Sequence, residues 1–334
     1  MSDRPLRFGL IGLGRHGSRY ARHLLEDVPG ARLTAVCRRN EKEGRAFAGR
    51  HGLVFHSDLG RLIEDPRVDA VAAAVSPDVH VDICRRAARA GKPILLEKPL
   101  ARNLAEGRRL QEIVEGAGIT FMLAQTLRFN SVVREMKRRI GSLGRIHLLA
   151  FNQRMEPHGL AWLDDPRAAG GGNLLHTGVH IFDLISFLCG RPVEWAWCRT
   201  ERIYQRKTED LFAAVLGLED GLRCLLDAGK VTGGRSGRIE VVGDEGQLVG
   251  DHVLGTLSLI RERQAAALPV APPAPTVRET LRAFVRCVAG DRRPPVTAAD
   301  GLRTLKAAEM CYRSAETGRV VAAGEIDDTG GVVC

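Results

Sequence analysis

Eight residues near the start of the chain, Leu10-Ile11-Gly12-Leu13-Gly14-Arg15-His16-Gly17, restrict its fold more than any other feature. They spell G-x-G-x-x-G between an apolar run that reads as a strand and a segment that reads as a helix. Gly12 permits a tight turn, Gly14 lets the backbone approach a pyrophosphate, and Gly17 allows close helix–strand packing. The amide N–H groups left there aim at phosphate, and Arg15 and His16 count with the glycines as cofactor contacts. Chance glycines in a turn are the competing reading; the strand–loop–helix context favours a dinucleotide.

The first 125 residues alternate short apolar runs with helical patterns, which predicts a parallel sheet built from βαβ units. Strands are expected near Arg7–Ile11, Arg32–Cys37, Val68–Ala74, Pro93–Leu96 and Ile119–Ala124. Helices are expected near Gly17–Glu26, Glu41–Arg50, Asp78–Ala90 and Asn103–Glu115, with Pro77 suiting a helix start and Gly91 a helix end. From Gln125 the pattern changes. A helix near Ser131–Ile140, a strand near Ile146–Gln153 and a glycine-led helix near Gly172–Leu188 come first. Strands at Val193–Thr200, Asp210–Gly217, Leu222–Ala228, Gly237–Gly243 and Gln247–Asp251 follow, and turn signals at Glu219-Asp220-Gly221 and Asp244-Glu245-Gly246 predict antiparallel hairpins. Leu268–Pro275 reads as a loop, helices near Thr276–Ala289 and Ala298–Thr317 close the fold, and the tail after Gly318 reads as frayed. The fold class is thus α/β, with a dinucleotide-binding Rossmann domain over 1–125 and a second α/β domain over 126–334.

A length of 334 residues suits two domains, and 44% hydrophobic with 27% charged residues is ordinary for a soluble protein. Apolar stretches fall well short of the roughly 18 residues of a membrane span, so no membrane partner is expected. Met1-Ser2-Asp3-Arg4-Pro5 opens no signal-peptide core, which predicts a cytoplasmic protein. Eight scattered cysteines without a Cys-x-x-Cys pair read as small core residues in a reducing compartment, with Cys334 a free tail thiol. Of the net charge of +9, most lies in residues 1–125, with 21 Lys and Arg against 15 Asp and Glu. No basic run is interleaved with aromatics, which are 5% of the chain, so a nucleic-acid partner is not expected. Part of that field could serve an anionic cofactor.

The end of the second strand bears on which nucleotide binds. A site for NAD usually places a carboxylate there, bonded to the ribose 2′-hydroxyl. Here the chain reads Ala35-Val36-Cys37-Arg38-Arg39-Asn40, with no acid before Glu41. Arg38 and Arg39 would favour a 2′-phosphate, so NADP(H) is expected over NAD(H). Two solvated surface arginines are the alternative.

Glu97-Lys98-Pro99 follows the apolar run Pro93–Leu96. A lysine at the carboxyl end of such a strand faces the crevice where ligands of open α/β sheets bind. Its ammonium can polarise a substrate oxygen or lower a hydroxyl pKa; a solvated lysine at a strand edge is the plainer reading. Farther on, Ala169-Gly170-Gly171-Gly172-Asn173-Leu174-Leu175-His176-Thr177-Gly178-Val179-His180 opens a helix. His176 and His180 stand four apart, on one face, and an imidazole there can shuttle protons near neutral pH. Satisfied core histidines are the alternative reading. A metal is not assigned, because no Glu follows the first His as in H-E-x-x-H.

Together these segments resemble the Gfo/Idh/MocA family of oxidoreductases across nearly the whole chain. The resemblance rests on Gly12–Gly17, on Val75-Ser76-Pro77-Asp78-Val79-His80 and on Gly91-Lys92-Pro93-Ile94-Leu95-Leu96-Glu97-Lys98-Pro99-Leu100-Ala101. It continues through Gln125-Thr126-Leu127-Arg128-Phe129 and Trp162–Gly172. It implies a Rossmann domain joined to an α/β domain whose large, mostly antiparallel sheet often forms an oligomer interface, hence a homo-oligomer, dimer or tetramer. It implies hydride transfer on a small sugar, cyclitol or related polyol, with Lys98 as active-site lysine and His180 as general acid/base. Ser76, Pro77, His80 and Glu97 join the cofactor set by the same resemblance. Arg128, Trp162, His176, Thr177, Lys98 and His180 are the implied substrate contacts. Many members carry aspartate where this chain has His176, which removes a fixed negative charge one turn from His180 and makes His180 easier to deprotonate. The same fold also serves two other functions: a cofactor-binding sensor without turnover, and an enzyme that oxidises and re-reduces one sugar during elimination or glycoside cleavage.

Overall fold

The short strands of the amino-terminal part carry near-continuous apolar runs, fully buried in AVAA at Ala70–Ala73 and FMLA at Phe121–Ala124, the pattern of a parallel sheet covered by helices on each side. A computed structural model describes residues 4–157 and 159–326 and shows that sheet. Its strands are β1 (Leu6–Ile11), β2 (Ala31–Cys37), β3 (Val54–His56), β4 (Ala70–Ala73), β5 (Ile94–Glu97) and β6 (Phe121–Ala124). They run parallel in the order β3-β2-β1-β4-β5-β6, so the chain reverses direction across the sheet between β1 and β4. That reversal opens a crevice at the carboxyl ends of the two strands. The helices are α1 (Gly17–Glu26), α2 (Glu41–His51), α3 (Leu59–Glu64), α4 (His80–Arg89) and α5 (Leu104–Gly116). Asn40 starts α2 by accepting from the Glu43 amide at 3.2 Å. A 3₁₀ turn at Pro77–Val79 leads into α4, and Gly91 follows it in the left-handed region, φ 62°, as the sequence predicts.

Neither β3 nor α3 was expected. Three residues and six residues are too short to show a hydrophobic period, and β3 exists because Ala35–Cys37 of β2 offers it a parallel edge.

The described chain divides into two compact units. One comprises residues up to Ala101 with Glu106–Thr126 and Pro275–Gly301; the other comprises Arg102–Ala105, Leu127–Ala274 and the chain from Leu302. The second unit is built on α6 (Ser131–Arg139), β7 (Ile146–Arg154), α7 (Pro166–Ala169), a π-helical turn at Leu174–Gly178 and α8 (Val179–Cys189). Then come β8 (Val193–Glu201), β9 (Leu211–Leu218), β10 (Arg223–Gly229), β11 (Ser236–Gly243), β12 (Gly246–Asp251), β13 (Thr256–Arg261) and β14 (Gln264–Ala267). After the loop before Thr276 follow α9 (Thr276–Val288), α10 (Ala298–Thr317) and β15 (Val321–Ala322). The sheet order is β14-β13-β12-β11-β7-β10-β9-β8-β15, antiparallel except where β7 and β10 pair. Both expected hairpins form, with Gly243 opposite Gly246 and Gly217 opposite Arg223.

β13 and β14 were not expected; β14 is exposed along its length and holds its shape by pairing with β13 rather than by any buried face. The helix expected from Gly172 begins instead as a π-turn, where i→i+5 bonding widens the spiral, so a spacing of four no longer guarantees that His176 and His180 share a face. The tail expected to fray after Gly318 stays in the sheet through Ala322. Val321 is fully buried opposite Ala196, and the Glu325 carboxylate accepts from the Ala322 amide at 2.8 Å. Cys334 lies outside the described residues. Among the described residues no helix is long and apolar enough to cross a membrane.

Candidate active site

The glycine loop joins β1 to α1 at the point where the sheet reverses. Gly12 has φ +95°, and a Cβ there would lie 2.3 Å from the carbonyl oxygen of Ala74, at the end of the neighbouring strand. A Cβ on Gly17 would lie 2.0 Å from the Gly12 carbonyl oxygen, whereas one on Gly14 would meet nothing within 4 Å. The first and third glycines are therefore demanded by the protein's own backbone. The second leaves open space, as a pyrophosphate held against the loop requires. No acidic side chain occupies the first turn of α1, so its N-terminal amides suit an anion. The loop fits a dinucleotide.

Arg38, half-buried, donates through Nη1 to the Leu13 carbonyl at 3.2 Å and is paired with Glu43. Arg39 is exposed. Ser76 and Pro77 lie at the end of β4, beside the reversal point. His80 is fully buried, with Nδ1 3.3 Å from the Leu100 carbonyl and Nε2 3.3 Å from that of Val75. Burial lowers its pKa, against the pull of those carbonyls and of Glu97. It braces the loop after β4 against the segment after Lys98.

Lys98 is half-buried directly past β5, and its peptide bond to Pro99 is cis. Burial lowers the pKa of its ammonium, while the charge on Glu97 works to raise it. Glu97 is buried, 2.6 Å from both His16 Nε2 and Tyr20 Oη. The sequence singled out Glu97 and His16 but missed Tyr20, whose only signal is its place one turn from His16 on α1.

In the second unit, His176 is buried with Nε2 3.1 Å from the Ala169 carbonyl and its ring edge-on to Trp162, centroids 5.4 Å apart. Thr177 is buried, its hydroxyl 3.9 Å from the Met155 sulfur. His180, in the first turn of α8, is half-buried. Arg128 forms a forked pair with Asp183 of the same helix and lies over the Phe187 ring at 5.5 Å. The glycine-rich turn before His176 depends on Glu209, which sequence reasoning did not identify. Its carboxylate accepts from the amides of Gly172 at 3.1 Å and Leu174 at 2.9 Å and from Tyr312 Oη at 2.9 Å. Burial raises the Glu209 pKa despite those donors. The only sequence signal for such a group is the run of glycine amides that needs a buried acceptor.

Comparison with known proteins covers both units. Residues 6–125 match the model of the oxidoreductase family's NAD-binding Rossmann fold, and residues 137–323 match the model of that family's C-terminal alpha/beta domain. The chain is 27% identical to a myo-inositol 2-dehydrogenase of Thermotoga maritima, over 96% of this chain and 99% of the relative. It is 31% identical to inositol 2-dehydrogenase 2 of Saccharopolyspora erythraea, over 94% of each. The fold is shared with an aldose-aldose oxidoreductase from Caulobacter crescentus, with a TM-score of 0.87 at 23% identity, over 96% of this chain and all of that one.

Proposed function

The chain belongs to the Gfo/Idh/MocA family of oxidoreductases, and from that membership we propose an NADP(H)-dependent enzyme that moves hydride to or from a secondary alcohol or carbonyl of a sugar, cyclitol or related polyol. The observation that carries this reading is Lys98, half-buried at the carboxyl end of β5 directly after a buried carboxylate. The Gly12–Gly17 loop and the N-terminus of α1 would hold a dinucleotide, whose nicotinamide ring would give or take the hydride.

The chain's own residues handle the proton. Oxidising an alcohol removes hydride from the carbon and a proton from the hydroxyl oxygen bonded to it, so an ammonium near that oxygen stabilises the developing alkoxide. Lys98 takes that role, and His180 accepts or returns the proton. Trp162, His176, Thr177 and Arg128 shape the substrate side. A cyclitol or sugar is favoured because the relatives at 27% and 31% identity are named inositol dehydrogenases. The 2′-phosphate is favoured by the exposed Arg39 and by the lack of a carboxylate between Cys37 and Glu41, while Arg38, held by the Leu13 carbonyl and Glu43, supports the loop.

The test is nicotinamide absorbance during incubation with a panel of sugars and cyclitols, NADP⁺ beside NAD⁺. Reduction of NADP⁺ well ahead of NAD⁺ supports the proposal. Silence across the panel shifts weight to a sensor or to an internal redox cycle, because neither changes net absorbance.

A further inference from the structure

One buried carboxylate joins the glycine loop to the strand end that carries Lys98. Glu97 is 5% exposed. Its Oε1 accepts from Tyr20 Oη at 2.6 Å and lies 2.6 Å from His16 Nε2; its Oε2 accepts from the backbone N–H of Lys98 at 3.1 Å. Those partners come from three places: the loop, the first turns of α1, and the residue following β5. His16 and Tyr20 also pack ring edge to ring face, centroids 5.7 Å apart. A carboxylate in a dry interior is costly unless its oxygens are well satisfied, and an apolar side chain would complete β5 equally well. β5 needs no charge at this position to form, so its presence calls for another reason.

We propose that Glu97 is a positioning residue, with His16 as its hold on the loop: it locks the dinucleotide-binding loop onto the strand end that presents Lys98, so that one set of hydrogen bonds governs both nucleotide affinity and the lysine's placement. This inference rests on the role given to Lys98 above. The glycines explain the shape of the loop, since Gly12 and Gly17 are pressed against backbone oxygens. They do not tie it to β5. Among the loop's side chains, His16 makes that connection.

The charges agree with this arrangement. His16 from the loop, Tyr20 from α1, Lys98 from its own strand end and His80 from α4 face the carboxylate. Burial pushes the Glu97 pKa up, but His16, Lys98 and Tyr20 outweigh it and hold the group at about 2. Glu97 is thus an anion throughout the neutral range, and it works against the lowering of the Lys98 pKa by burial. Removing its charge while keeping its shape should let Lys98 lose its proton at lower pH.

The experiment uses the full chain with His16→Ala, His16→Gln, Tyr20→Phe, Glu97→Gln and, as a separate control, Lys98→Met. Equilibrium titration with NADPH and with NADH reads nucleotide affinity, and kcat/KM against pH reads the lysine. Loss of a hydrogen bond to a charged group should weaken both nucleotides about tenfold in His16→Ala, with His16→Gln recovering most of it. Glu97→Gln should move the limb of the pH profile set by Lys98 toward acid, and Tyr20→Phe should move it less. A purely structural role for Glu97 would lower thermal stability without shifting that limb. Wild-type nucleotide affinity in His16→Ala together with an unmoved pH profile in Glu97→Gln overturns the proposal. If Glu97→Gln does not fold, Tyr20→Phe and His16→Ala decide by the same readouts. Lys98→Met with near-normal turnover would instead remove the assigned lysine, leaving the loop tie to stand or fall on affinity alone.

Discussion

The guanidinium of Arg128 holds both carboxylate oxygens of Asp183, Nε to Oδ2 at 2.8 Å and Nη2 to Oδ1 at 2.6 Å. The two side chains are 11% and 1% exposed. Asp183 stands three residues after His180, so the pair fixes the rotation of the helix turn that carries the proposed general acid/base. Arg128→Ala would strand a buried carboxylate and should cost about 3–5 kcal/mol. Arg128→Lys keeps the charge but loses the fork and should fall between the two. Urea denaturation of the three proteins measures the order; equal midpoints would mean that Asp183 is not desolvated.

Lys98→Met should reduce kcat by roughly 10²–10³-fold while nucleotide affinity stays near wild type, because the ammonium proposed to stabilise the alkoxide is lost and the phosphate loop is untouched. Steady-state rates paired with nucleotide titration separate the two effects. Near-normal turnover would remove Lys98 from the mechanism.

Arg38 and Arg39 should behave differently. Arg38 is tied to the Leu13 carbonyl and Glu43, so Arg38→Ala loosens the loop and weakens both nucleotides. Arg39 is exposed, and Arg39→Ala should weaken NADPH about tenfold with little change for NADH, the loss of one charge-assisted contact to phosphate. Equal losses in the Arg39 variant would end the argument for the 2′-phosphate.

Alanine at Gly12 and at Gly14 should give opposite signatures. Gly12→Ala meets the Ala74 oxygen at 2.3 Å with φ +95° and should lower stability by more than about 2 kcal/mol. Gly14→Ala meets nothing and should leave stability within roughly 0.5 kcal/mol, yet weaken the dinucleotide by filling its space. Thermal melts beside nucleotide titrations distinguish them.

Acid should unfold the first unit partly through Asp69. The Arg7 guanidinium and amide donate to it at 2.7–3.0 Å, and those bonds outweigh partial burial to hold its pKa at about 2. A depressed carboxylate contributes stability above its unfolded pKa and loses it as pH falls through the folded one. The contribution, on the order of 2 kcal/mol, should therefore disappear between about pH 4 and pH 2. Asp69→Asn should flatten the stability curve in that window; an unchanged slope would show that other carboxylates control acid unfolding.

Much was legible because it is local. The G-x-G-x-x-G loop, the strands of the first sheet and the position of Lys98 follow from apolar runs and turn chemistry a few residues long, and the first hairpins of the second sheet follow from Asp-Glu-Gly and Glu-Asp-Gly signals. Short or exposed elements carried no such signal. β3 and β14 form only where a neighbouring strand offers backbone partners, and the amides that open the turn before His176 are taken by Glu209, 37 residues from Gly172.

The chain's own order therefore determined the parallel sheet, the phosphate loop and the lysine at the end of β5, because each is set by periodicity and by glycine geometry within one stretch of sequence. Tertiary structure alone decided which groups the buried charges meet. Glu97 with His16, Asp183 with Arg128 and Glu209 with the Gly172 turn pair residues dozens of positions apart, and burial forces those pairings because an unsatisfied carboxylate cannot remain charged in a dry interior.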